Sequence, residues 1–202
     1  MVIELVAISD GAAPARPPLR AVPSGNLSVL CAPAVERRVT PEALWRHEEL
    51  LEELMQECDL LPVRYGTVVP DEDAAARAVA ERQEELSAAL ERVRGAVELA
   101  LRVEPREPEP LGRVEATSGT EYMRAKAARL AEARALHEPL SALARAAVVK
   151  SGPELLRAAY LVERGSVDAF VGRVHELQRE RPELALLCTG PWPPYSFAEG
   201  PP

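Results

Sequence analysis

An α+β protein of two domains is predicted by two features of the 202-residue sequence. Strand and helix patterns alternate along its whole length, and Gly95 breaks the chain between two such series. The first domain is expected over 1–94, as a small mixed sheet with helices, and the second over 95–202.

In the first half, Val2 to Ile8 is a short apolar run suited to a buried strand. Gly11 to Ser24, rich in Ala, Pro, Gly and Arg, reads as a loop. Leu27, Val29 and Cys31 alternate with smaller or polar residues as a half-buried strand does. Thr40-Pro41-Glu42 is a helix start: a hydroxyl at the N-cap, proline at the first helical position and an acid in the first turn. That helix places Leu44, Leu51, Leu54, Met55 and Cys58 on one face. Leu61 to Val69 returns as a strand. Asp71 opens a second helix with Ala75, Val79, Leu86 and Leu90 among its apolar positions, which gives ββαβα.

After Gly95, Val97, Leu99, Leu101 and Val103 alternate as a strand. Pro105 to Pro110 alternates proline with charge and is a loop. Ser118-Gly-Thr-Glu121 matches a capping box. A long helix follows, with Met123, Leu130, Leu136, Leu140 and Leu143 as apolar positions and Pro139 expected to kink or divide it. Ala146 to Val149 and Leu155 to Val162 flank the turn-like Ser151-Gly152-Pro153, a hairpin. Ser166 is placed to cap a helix whose stripe is Val167, Phe170, Val171, Val174 and Leu177, and Leu184 to Leu187 is the last strand. The second half is therefore β-α-β-β-α-β, the split βαβ order of a ferredoxin-like sandwich.

With 47% hydrophobic and 28% charged residues the chain reads as a folded globular protein, and no run of about 18 uncharged apolar residues offers a membrane span. Glu4 and Asp10 stand where a signal peptide carries basic residues, so export is not expected. Cys31, Cys58 and Cys188 are odd in number and widely spaced in apolar stretches, as buried thiols of a reducing compartment are. A net charge of −8 argues against general binding to nucleic acid or anionic membranes.

Catalytic signatures are missing from the sequence. There is no phosphate-binding glycine loop with its lysine, no dinucleotide fingerprint and no nucleophile elbow. The pairs His47-Glu48, His137-Glu138 and His175-Glu176 point about 100° apart on a helix and cannot grip one ion between them. The cysteines lack Cys-x-x-Cys spacing. No catalytic residue, metal site or cofactor is assigned. Glu48, Glu49, Glu52, Glu53 and Glu57 form a solvated helix face or a dock for a basic partner. The helix carrying Arg124, Lys126, Arg129 and Arg134 is mixed in sign and reads as a solvated face.

Two segments stand out. Leu60 to Val69 holds Pro62, Arg64 and Gly66 inside an apolar strand. Either it is an edge strand with a bulge at Gly66, or Arg64 projects toward a carboxylate. The second segment, Gly190-Pro-Trp-Pro-Pro-Tyr-Ser-Phe197, holds three of the chain's eight aromatic residues on a proline-stiffened backbone. It is either a core lid or a docking surface.

These segments belong to an ordered set: Trp45-x-His47, Leu61-Pro-Val-Arg-Tyr-Gly-Thr67, Val97-Glu-Leu99, Ser118-Gly-x-Glu-Tyr122 with Lys126, and Gly190 to Phe197. The set resembles the gas vesicle protein GvpL/GvpF family over nearly the whole chain. Tyr65 stands where the family more often has phenylalanine, and both F-like and L-like paralogues fit. The resemblance implies a non-enzymatic accessory protein of gas vesicles, the cytoplasmic gas-filled protein shells that give buoyancy. It also implies contact with the small hydrophobic shell protein and with other accessory proteins. A soluble acidic chain would shield apolar shell surface before assembly, in a chaperone- or nucleation-like role. Arg64, Tyr65, Trp192, Tyr195 and Phe197 are the expected contacts, being rigid aromatics and an arginine. The alternatives are a minor component of the mature wall, or a small-molecule sensor or enzyme on a ferredoxin-like scaffold.

Overall fold

The computed structural model describes residues 2–11, 16–34, 40–106 and 119–198. The chain forms two compact units, Met1–Ala96 with Trp192–Pro202, and Val97–Pro191. The division expected at 94/95 is close to the first boundary, but the closing tail groups with the first unit. A proline-rich segment has no period that ties it to either sheet, so chain order alone had assigned it to the second domain.

In the first unit, β1 (Ile3–Asp10) is the middle of a sheet ordered β2 (Arg20–Ser24), β3 (Leu27–Pro33), β1, β4 (Leu60–Pro62), with β5 (Val68–Val69) also paired to β1. All the pairings are antiparallel. Strand β2 lies inside the stretch expected to be a loop. It is an edge strand, where Pro23 needs no ladder donor. Gly25-Asn26 closes the two-residue hairpin into β3, with Gly25 at φ 62° and Ser24 opposite Leu27. The strand expected over Leu61 to Val69 is split into β4 and β5.

Helix α1 (Pro41–Glu57) starts as predicted, with Thr40 Oγ1 accepting from the Ala43 amide at 3.2 Å. Its buried face is Ala43, His47, Leu51, Leu54 and Met55, while Leu44 is 40% exposed and Cys58 only half-buried. The single helix expected after Asp71 is two, α2 (Glu72–Ala80) and α3 (Gln83–Val93). All four of its predicted apolar positions are nonetheless buried. In the tail, α6 (Tyr195–Ala198) packs on α3 and β4.

The second unit holds β6 (Ala96–Pro105), α4 (Gly119–Ser141), β7 (Ala146–Val149), β8 (Leu156–Glu163), α5 (Val167–Glu180) and β9 (Leu184–Trp192). The sheet order is β7-β8-β6-β9, the ferredoxin-like arrangement. Leu99, Leu101 and Val103 of β6 join Tyr160, Phe170, Val174, Leu136 and Leu140 in one apolar core. Tyr160 sits 5.0 Å from the Phe170 ring and shares a hydrogen bond of 2.9 Å with His137 Nδ1.

Three expectations for this unit are corrected. Met123 and Leu130 are exposed, because only the C-terminal part of α4 lies on the core, and Leu143, 39% exposed, stands in the turn after the helix ends at Ser141. Pro139 does not divide α4: it forfeits the amide bond to the Ala135 carbonyl, but it stands two residues before the helix ends at Ser141, so little helix lies beyond it to be redirected. Ser166 precedes α5 but its side chain makes no cap bond. The Ser118 end of the capping box and most of the Pro105–Pro110 loop lie outside the described residues.

Candidate functional site

The Arg64-Tyr65-Gly66 segment is a turn inserted between two pieces of one edge strand. The Val63 amide still donates to the Val6 carbonyl at 2.9 Å, and the Thr67 carbonyl receives the Leu5 amide at 2.8 Å. Between them the Thr67 amide and hydroxyl both donate to the Arg64 carbonyl, at 3.2 and 2.7 Å, which closes a β-turn. Gly66, at φ 81°, fills the turn position that favours glycine, and its amide donates to Glu4 Oε1 at 2.8 Å. Pro62 thus stands on an edge strand, as expected, whereas Gly66, expected at a bulge within that strand, sits in a β-turn between its two pieces.

His47 fastens this turn to α1. Its Nε2 lies 3.0 Å from the Val63 carbonyl, which only accepts, so Nε2 carries the proton. Its ring meets Tyr65 edge-on, with centroids 5.5 Å apart and planes at 69°. Sequence reading had not assigned His47 a role. The Trp45-x-His47 motif was the available signal.

Consecutive residues of the turn face different clefts. Arg64 is exposed and lines a cleft of about 260 Å³ with Thr67, Arg82, Leu86 and Tyr195 over a floor that includes Leu61 and Pro62. Tyr65 is half-buried and lines a second cleft, of about 210 Å³, with Glu4, Arg46, His47 and Leu50. The fold thus joins Arg64 to Tyr195, and places Tyr65 apart from them. Phe197 is buried at 5% exposure and serves as the anchor of the tail, while Trp192 is half-buried.

The Tyr195 hydroxyl donates to Glu48 Oε1 at 3.0 Å. Burial, followed by the Glu48 charge, pushes its pKa well above the ordinary tyrosine value. Arg82 makes a two-pronged bond to Glu85 at 3.0 and 2.7 Å, which holds that carboxyl below the usual range. Burial raises the thiol pKa of Cys31 and Cys188, so both are weak nucleophiles. Among the described residues no three His, Cys, Asp or Glu side chains are grouped to hold a metal ion, and no helix is long and apolar enough to cross a membrane. An apolar floor with guanidinium and phenol groups at its rim suits contact with a peptide segment.

Comparison with known proteins gives consistent results. The family described as gas vesicle synthesis protein GvpL/GvpF matches residues 7–128 and 120–199. Gas vesicle protein F of Streptomyces sp. (strain CB03234) is 31% identical over 90% of this chain and 88% of its own length. Gas vesicle protein L of the same strain is 31% identical over 78% and 69%. The crystal structure of GvpF from Anabaena sp. PCC7120 superposes with a TM-score of 0.84 at 15% identity, covering 99% of this chain and 97% of that one. That of GvpF from Microcystis aeruginosa gives 0.78 at 17% identity, covering 98% and 99%. Their likeness to this chain is one of fold. The sequence matches span nearly all of it, and the chain belongs to the gas vesicle GvpL/GvpF family.

Proposed function

We propose that this chain is an accessory protein of gas vesicle assembly that binds the hydrophobic shell protein, in company with other accessory proteins, in a chaperone- or nucleation-like role. The observation that carries the reading is the match to a family of gas vesicle synthesis proteins over nearly the whole chain. A subunit that builds a gas-tight wall exposes aggregation-prone apolar surface until it is assembled. A partner with net charge −8 keeps such a complex soluble while its own apolar contacts cover that surface.

The contact surface in this reading is the lining of the two clefts, Arg64 and Tyr195 in one and Tyr65 in the other, together with the partly exposed Trp192 of the tail. Phe197 acts from beneath by holding α6 in place. The test is co-purification with tagged shell protein. Arg64→Ala and the pair Trp192→Ala with Tyr195→Ala should retain the circular dichroism spectrum and lose the shell protein. Unchanged capture by both would leave the tail as a core lid only. Retention of the chain in washed, mature vesicles would favour a minor component of the wall over a factor that leaves after nucleation.

A further inference from the structure

Two exposed helix faces, one in each compact unit, are complementary in charge and both carry large apolar side chains. On α1, Glu42, Trp45, Glu49, Glu52 and Gln56 recur at helical spacing on the outward face, opposite the buried Leu51 and Leu54. Trp45, one of two tryptophans in the chain, is 69% exposed. Leu44 beside it is 40% exposed. The helix carries six glutamates against one arginine, and of these Glu53 and Glu57 are taken by Arg16. Its outward face is therefore a tryptophan set among carboxylates.

The first half of α4 is the counterpart. Every residue from Gly119 to Ala131 is exposed. Met123, Ala127 and Leu130 fall on one stripe, with Tyr122 and Lys126 along one side and Arg124 on the other. Tyr122, Met123 and Leu130 are 56%, 61% and 62% exposed. Arg124, Lys126 and Arg129 outnumber Glu121 in the same segment, although the chain as a whole is acidic. Exposed methionine, leucine and tyrosine among cations is a surface suited to an acidic, aromatic helix face.

We propose that these two faces dock on one another between copies of the chain, α1 of one molecule on the first half of α4 of the next. The contact is heterologous, since the two surfaces differ, so each molecule keeps one free face of each kind and the association extends head to tail. Trp45 would lie against Met123 and Leu130 within reach of Lys126 or Arg124, which adds a cation–π term to the burial. Two short helix faces bury little area, so the contact belongs to the weak, concentration-dependent class of interfaces.

The experiment is sedimentation velocity of the purified full-length chain, alone and as mixtures of variants. The weight-average mass should rise above the 22.0 kDa chain with protein concentration. It should fall back at ~0.5 M salt, where screening extends only about 4 Å. Trp45→Ala disables the α1 face, and Arg124→Glu with Lys126→Glu disables the α4 face. Each variant alone should stay monomeric. Mixed one to one they should form a heterodimer of twice the chain mass and stop there, because each supplies the face the other lacks. All substituted positions are exposed, and unchanged circular dichroism confirms that folding is intact. A wild-type chain that stays monomeric throughout, or a mixture that forms no heterodimer, overturns the proposal. Capture of shell protein by Trp45→Ala tests the preceding reading separately, since that contact does not use this face.

Discussion

The phenol of Tyr195 donates to Glu48 at 3.0 Å, a bond that ties the closing tail to the first long helix. Its donor comes from α6 and its acceptor from a turn of α1 that also carries the buried His47. With Phe197 buried and the Pro193-Pro194 pair packed beneath, the tail is held by apolar burial and steered by one charge-assisted hydrogen bond.

Replacing Tyr195 by phenylalanine should keep the burial and lose the bond. A loss of about 1 kcal/mol is expected at neutral pH. The pH dependence has a definite sign. Burial and the Glu48 charge raise the folded-state pKa of Tyr195, and burial does the same for Tyr160. Unfolded tyrosines ionise near pH ~10. The stabilisation is therefore fully present below that value and is lost as pH rises above it. Urea midpoints taken from pH 8 upward should decline above about pH 10, and the Tyr195→Phe variant should decline less steeply. Equal slopes for the two proteins would mean that Tyr195 is solvated in the folded state.

Gly66 sits at φ 81° with open space where a Cβ would stand. Gly66→Ala therefore meets backbone strain and no clash, and should cost about 1–2 kcal/mol. Gly66→Asn should recover part of that, because asparagine tolerates the left-handed region better. A denaturation series of the three proteins checks the order Gly, Asn, Ala. Alanine matching glycine would show that the turn relaxes to another geometry.

His47→Ala should cost about 2–3 kcal/mol, since it leaves the Val63 carbonyl without this donor, opens a void and removes the ring edge that meets Tyr65. Hydrogen exchange offers a local readout: the Val63 and Leu5 amides, whose bonds pin the two ends of the turn to β1, and the Thr67 amide, which closes the turn on Arg64, should exchange faster while those of β6 and β8 are unchanged. Faster exchange across both units would instead signal global destabilisation.

Legibility in the sequence followed the physics of each element. The β-α-β-β-α-β order was readable because its strands alternate cleanly and its turn between β7 and β8 is built from Ser, Gly and Pro. The α1 start was readable because Thr40 and Pro41 act locally. Strand β2 was hidden because an edge strand tolerates Pro23 and owes its formation to β3, a tertiary effect. The exposure of Met123 and Leu130 was hidden because helical period identifies a stripe without saying how far along the helix a core extends. Of the five expected contacts, only Arg64 and Tyr195 line one cleft, a juxtaposition that depends on where α6 docks and leaves no mark in either segment alone.

Gln178 shows a further feature with no sequence signal. Among the described residues β9 is the last strand of its sheet and carries no charged side chain, the kind of edge that recruits other strands. The Gln178 amide on α5 occupies part of it: Nε2 donates to the Leu184 carbonyl at 2.7 Å and Oε1 accepts from the Leu186 amide at 2.9 Å. A side-chain amide offers the same donor and acceptor as a peptide group, so it takes the place of a neighbouring strand at two positions. Gln178→Leu, apolar, one atom shorter and unable to form either bond, should cost about 1–3 kcal/mol and leave the Leu186 amide open to pairing. Light scattering during mild heating should show earlier and faster association of Gln178→Leu than of the parent chain. Gln178→Glu, which keeps the acceptor for Leu186 and adds charge at the edge, should associate no faster than the parent. If Gln178→Leu loses stability without associating faster, the amide is a packing group and β9 is protected by other means.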